Sequence, residues 1–221
     1  ETRRYAAMLG ATAEFNAITG IAVNAADRRL YLAVSDIDGG MLPSTVDPAD
    51  HIQVQRISAG VVYELNLESA QKDSRRRDIE SEYVATSVRP ITLLVGEDLP
   101  TADDVGNTSN IDRIANPDTL KFSENLRTLF IAENGRRHIN NFLWTWQVDI
   151  SELSRVMSVP AGAGVSGLQV ATNINGFNYL MANYQHPGLY ATAMPADVQT
   201  RLNGLINKRQ GAIGYFQLPG L

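Results

Sequence analysis

The chain has 221 residues, a mass of 24.2 kDa, 44% hydrophobic and 19% charged residues, enough for one buried core and too apolar for extended disorder. The absence of cysteine excludes disulfides and thiolate metal sites, and a formal charge of −5 leaves the molecule without the overall positive surface that nucleic acid demands. No apolar run approaches the roughly 18 residues that would suggest a membrane-spanning helix, and no signal peptide or Lys-rich targeting segment is visible.

Residues 4 to 12 have the spacing of a short helix that stops at Gly10. From Gly20 the period changes to two. Ile21 and Val23 alternate, Asn24 to Arg28 supply turn chemistry, and Leu30, Leu32 and Val34 alternate again, which predicts strand, turn and strand. The same hairpin recurs with Leu120 and Phe122 before a polar turn and Leu129 and Ile131 after it. It recurs again with Leu168 and Val170, a turn through Asn173 to Gly176, and Tyr179 to Tyr184. Two further strand pairs are predicted at 52–67 and 140–160. Residues 68–82 and 99–110 break the pattern and are expected to be surface excursions. Near the end, Pro195 precedes a helical pattern with Val198, Leu202, Leu205 and Ile206 on one face, closed by Gly211. Spaced antiparallel hairpins predict an all-β chain, a β-propeller or part of one with a short C-terminal helix; a β-sandwich would show similar strands.

No nucleophile elbow and no phosphate-binding glycine loop occurs. Hard-metal chemistry is the better candidate, because oxygen donors gather at hairpin ends. They include Asp36 and Asp38, Glu97 and Asp98, Asp112, Asn116 and Asp118, then Glu133 and Asn134. Such oxygen-rich clusters suit Ca²⁺, and a turn or cap role competes for each member. His138 and His186 could ligate a metal, hold a phosphate or act as a general acid, and a histidine tied to backbone carbonyls is the alternative. The basic residues are 16 Arg and 3 Lys. Arginine suits bidentate phosphate contacts, although genome composition explains the same bias.

Taken in order, four segments resemble the PhoX-type alkaline phosphatases. They are RRYAAMLGATAEF with GIAVNAADRRLYLAVSD, then IDRIANPDTLKF, then TLFIAENGRRHINNFLWTW, and finally NINGFNYLMANYQHPG. The Gln185-His186-Pro187-Gly188 turn is the most specific piece. The resemblance implies an exported, periplasmic or secreted phosphomonoester hydrolase built as a β-propeller around a calcium- and iron-containing centre. Residues 1–221 would form a single domain, the C-terminal portion of a larger propeller whose N-terminal remainder is its partner. Glu133, Asp118, Asn116, Glu97, Asp98 and Asp112 are the expected metal ligands, while His186, Arg136 and Arg137 are expected to hold phosphate oxygens or act in catalysis.

Three departures bear on mechanism. Thr19, Gly164 and Leu189 stand where the family tends to carry carboxylates, and cations deprived of anionic ligands lose most of their binding energy. Two readings therefore stand side by side, a metal-dependent phosphomonoesterase and a non-catalytic calcium-binding propeller that serves as scaffold or binding module. A sugar lactonase is a third, resting on fold analogy alone.

Overall fold

The computed structural model describes residues 1–46, 50–190, 193–208 and 210–218. After a short helix α1 (Thr2–Met8), eleven strands follow: β1 (Ile18–Asn24), β2 (Arg29–Val34), β3 (Val61–Glu68), β4 (Val84–Val95), β5 (Pro117–Ser123), β6 (Thr128–Glu133), β7 (Phe142–Gln147), β8 (Glu152–Ser158), β9 (Gly164–Ile174), β10 (Phe177–Gln185) and β11 (Ala212–Leu218). Helix α2 (Ala196–Asn203) lies between β10 and β11. The strands form three antiparallel sheets, ordered β1-β2-β3-β4, β5-β6-β7-β8 and β11-β10-β9.

The middle sheet carries both packing interfaces. Every residue of β6 is buried, because alternate side chains enter two different cores. Leu129 and Ile131 meet Tyr31, Val62 and Leu94 of the first sheet, with Phe142, Trp144 and Trp146 from β7. Phe130 and Ala132 face Val165, Leu168 and Leu180 of the third sheet. A strand buried on both faces reads as a near-continuous apolar run, which is how Leu129-Phe130-Ile131-Ala132 appears in the sequence. Face-to-face packing also requires β1 to lie close against β5: a Cβ on Gly20 would stand 2.3 Å from the Asp118 carbonyl oxygen.

All three hairpin predictions hold, as does the pair at 140–160. The prediction at 52–67 does not. Residues 52–56 are irregular, Ile57 forms only an isolated bridge with Ile37, and the second half becomes β3, paired with β2 and β4. Ile52 and Val54 alternate and, with Ile57, lie against the side of the first sheet turned away from the middle one, packing on Met41, Val34 and Tyr63. A cover segment can thus mimic strand periodicity without pairing. Strands β4 and β11 lie outside the predicted elements. Pro90 stands within β4 beside a break in register with β3, a position an edge strand tolerates, and β11 is exposed along nearly its whole length. Helix α2 ends at Asn203, well before Gly211.

The three sheets are tied at both ends. At the hairpin-turn end, Arg127 bonds Asp27 and Asp149, and Glu124 accepts the Ala25 N–H at 2.6 Å. At the strand-start end, Asn116 donates to the carbonyls of Ser35 and Ser58 at 2.9 and 3.1 Å, joining the first sheet to the second. Asn141, almost wholly buried, donates to Gly135 and Ala163 at 3.0 and 2.7 Å, joining the second to the third. Replacing Asn141 by Ala strands the buried Ala163 carbonyl. The expected loss is roughly 2 kcal/mol of unfolding free energy, measured by urea denaturation with an unchanged m-value.

Candidate functional site

The strand-start end gathers the polar residues singled out in the sequence. Ile18 of β1 pairs with Val34, Pro117 of β5 with Glu133, and Gly164 of β9 with Gln185. With β1 beside β5 and β5 beside β9, the loops after Val34, Glu133 and Gln185 emerge together. This end contains Thr19, Glu97, Asp98, Asn116, Asp118, Glu133, Arg136, Arg137, His138 and His186.

At its base lies a buried Glu133–His138 contact. Glu133 is wholly inaccessible and its carboxylate meets four protein donors. Oε1 accepts the Ala115 N–H at 2.8 Å and the Trp144 indole N–H at 2.6 Å. Oε2 accepts the Phe142 N–H at 2.9 Å and faces His138 Nδ1 at 2.9 Å. His138 Nε2 lies 3.2 Å from the Asn110 carbonyl oxygen. Both ring nitrogens thus face oxygen atoms of the protein. The ring also packs edge-on against Phe142 at 5.3 Å between centroids. All four lone-pair directions of Glu133 are in use, so its carboxylate holds β6, β7 and the loop before β5 together, and accepting a metal would mean giving up one of these bonds.

Each remaining acid has a protein partner. Asp98 accepts the N–H groups of Ser58 and Ala59 at 2.7 and 2.8 Å, closing the turn before β3. Glu97 accepts from Asn110 at 2.9 Å, Asp118 from the Thr119 hydroxyl at 3.2 Å, and Asp112 from Arg155 at 3.1 Å. Asp38 caps the turn Gly39–Met41 and pairs with Arg56. Asn116 spends its amide on the first sheet and adopts a left-handed conformation with φ 45°. Among the described residues, no three His, Asp or Glu side chains converge as a metal-holding group. The oxygen donors share an end of the molecule without sharing a point, so these residues by themselves do not fit a Ca²⁺ or Fe³⁺ centre, which needs several anionic oxygens on one ion.

The three departures have local explanations. Thr19 donates to the Pro117 carbonyl at 2.9 Å, a bridge between β1 and β5. A Cβ on Gly164 would stand 1.9 Å from Asn134 Oδ1, so no carboxylate fits there without movement of that amide. Leu189 is exposed. The cations differ from the acids. Arg136 is exposed and Arg137 half-buried, and neither guanidinium is paired among the described residues. His186 is exposed with φ 58°, its carbonyl accepting the Leu189 N–H at 3.2 Å. Left-handed backbone at a non-glycine residue is strained, and the His186-Pro187-Gly188 turn is held by a bond from Gly188 N–H to the Ala161 carbonyl at 2.8 Å.

Sequence reasoning passed over Asn141, Arg155 and Glu14. Asn141 is one of two adjacent amides just before β7, a visible signal. Glu14 is buried, and its carboxyl is held down at about 2, chiefly by the Ile52 N–H, then by the Thr12 hydroxyl and by His51. The Thr12-Ala13-Glu14 spacing was the available clue.

Two outcomes follow from these geometries. Glu133→Gln or His138→Leu leaves an unmatched buried partner and should cost about 3 to 5 kcal/mol in chemical denaturation; a loss below 1 kcal/mol would mean that the pair is solvated. Glu14 ionises near 2 when folded against 4.5 when unfolded. The unfolded chain therefore binds more protons in that window, and Glu14 stabilises above it and loses its effect as pH falls from 4.5 towards 2. Glu14→Gln should flatten the acid limb of a Tm-against-pH profile over that range. Comparison with protein-family models, with curated proteins and with solved structures finds no match to this chain.

Proposed function

We propose that the chain is a three-sheet segment of a larger β-propeller and acts within it as a phosphate-binding scaffold, not as a self-contained hydrolase. The observation that carries this reading is the asymmetry of the polar end. Every candidate carboxylate there has a protein partner, whereas Arg136, Arg137 and His186 have none among the described residues. Unpaired guanidinium groups at the same end of the sheets as an unpartnered imidazole suit phosphate or a phosphomonoester. Ca²⁺ and Fe³⁺, which the family resemblance implies, would draw their anionic ligands from sheets outside this chain.

The two outer faces support the propeller assignment. On the third sheet, Tyr179 and Met181 of β10 pair with Gln217 and Tyr215 of β11, and Asn183 with Ile213. This face points away from the middle sheet, with Ile213 89% and Tyr215 70% exposed. On the first sheet, Ile21 and Val23 project on the side opposite the middle sheet, where Ile52, Val54 and Ile57 cover Val34 and Tyr63, and remain 59% and 47% exposed. Apolar sheet faces of this kind are covered in propellers by the neighbouring blade.

Titration with inorganic phosphate tests the scaffold reading. Broadening of the ³¹P resonance is expected, and it should vanish in the double variant Arg136→Ala, Arg137→Ala; no interaction with the parent chain would sink the assignment. With Ca²⁺ and Fe³⁺ supplied, the chain alone should release no phosphate from p-nitrophenyl phosphate at alkaline pH. Turnover that is lost with the metals would favour the hydrolase instead. Lys at position 213 together with Glu at position 215, introduced as Ile213→Lys and Tyr215→Glu, should suppress concentration-dependent self-association in sedimentation velocity.

A further inference from the structure

A cleft of about 630 Å³, whose lining includes neither Arg136, Arg137 nor His186, opens between α2, the loop before β5 and the outer strands of the middle sheet. Its size falls in the range typical of small-molecule sites. Val198, Leu202 and Ile206 form one wall, and Val105, Ile111 and Phe142 face them. The helix contributes no fully buried residue. Its apolar side instead stands half-covered against Ile139, Ala161 and Met194.

The polar groups in the lining are mostly spent on the protein. Asn107 accepts the Ile139 N–H at 2.7 Å and donates to Asp103 at 2.7 Å. Asn140 donates to the Val159 carbonyl at 2.8 Å. Arg155 is different. It is the only cation among the described residues of the lining, and its guanidinium lies over the rings of Phe142 at 4.8 Å and Trp144 at 5.3 Å. That stacking fixes its plane while leaving its N–H edge available. Its counter-ion is Asp112, whose side chain is 78% exposed, so the pair is a surface salt bridge that contributes little and yields readily to a competing anion.

We infer that this cleft binds an amphipathic monoanion, a medium-chain carboxylate in which the aliphatic body lies between α2 and Phe142 and the head displaces Asp112 from Arg155. One fixed cation at the mouth of an apolar enclosure selects for a single negative charge on an apolar body. A phosphomonoester with a polar leaving group meets one condition without the other. The site is independent of the phosphate reading, because it uses neither Arg136, Arg137 nor His186.

Decanoate is the probe, titrated into the full chain while the fluorescence of Trp144 and Trp146 is followed. Saturable one-site binding is expected. Arg155→Gln should weaken decanoate about tenfold, the loss of one charge-assisted hydrogen bond, and should leave decanol unchanged. Leu202→Glu should abolish binding of both, and Ile150→Glu, at an exposed apolar position outside the cleft, should alter neither. Circular dichroism establishes that each variant is folded, and Arg155→Lys provides a second, milder probe should Arg155→Gln unfold. Absence of saturable binding, or binding indifferent to Leu202→Glu, overturns the site. Equal affinity for decanoate and decanol overturns the role of Arg155. Binding only of an amphipathic peptide, with no decanoate affinity, would replace the small ligand by a protein partner.

Discussion

The carboxylate of Glu133 is the point on which the architecture turns. A polar group in a site closed to water is costly unless its lone pairs find donors. Here the four donors come from Ala115, Phe142, Trp144 and His138, which belong to the loop before β5, to β7 and to the loop between β6 and β7. Satisfying one residue therefore fixes the relative position of three chain segments. His138 extends the constraint to Asn110 through its second nitrogen, so the long loop 99–110 is anchored as well.

From that anchor the organisation spreads in two directions. Towards the neighbouring sheets, β6 sends alternate side chains into two cores, and buried amides at Asn116 and Asn141 join the sheet ends where main-chain ladders cannot reach. Towards the surface, a column of rings runs from His138 to Phe142 to Trp144 and ends beneath the Arg155 guanidinium. The rigidity of the buried pair is thereby passed to an exposed cation. The polar end and the cleft under α2 are two surfaces resting on one interior.

The same comparison separates two uses of polar residues. Acids at strand ends were attractive as ligands because they recur, but Asp98 and Asp38 bond backbone N–H groups of turns that the strand spacing obliges the chain to make. Recurrence at hairpin ends follows from turn chemistry. The cations Arg136 and Arg137 have no such obligation, which is why they carry the functional reading.

Local pattern sufficed for much of the fold. Period-two alternation at Ile21 to Val34, Leu120 to Ile131 and Leu168 to Tyr184 placed three hairpins, because side chains on a pleated strand must alternate between faces. Pattern failed where periodicity had another cause, as at Ile52 to Ile57, and where a strand lacked a buried face, as in β11. The roles of the candidate residues were beyond its reach. Whether Glu133 would be a ligand or a clamp depends on Ala115, Phe142, Trp144 and His138 arriving together, and whether Arg155 meets Asp112 depends on residues 43 positions apart. Sequence specified which groups could ionise, stack or donate. Only the tertiary structure decided which of them spend that capacity on one another, because the partners are brought within bonding distance by sheet packing and not by their order along the chain.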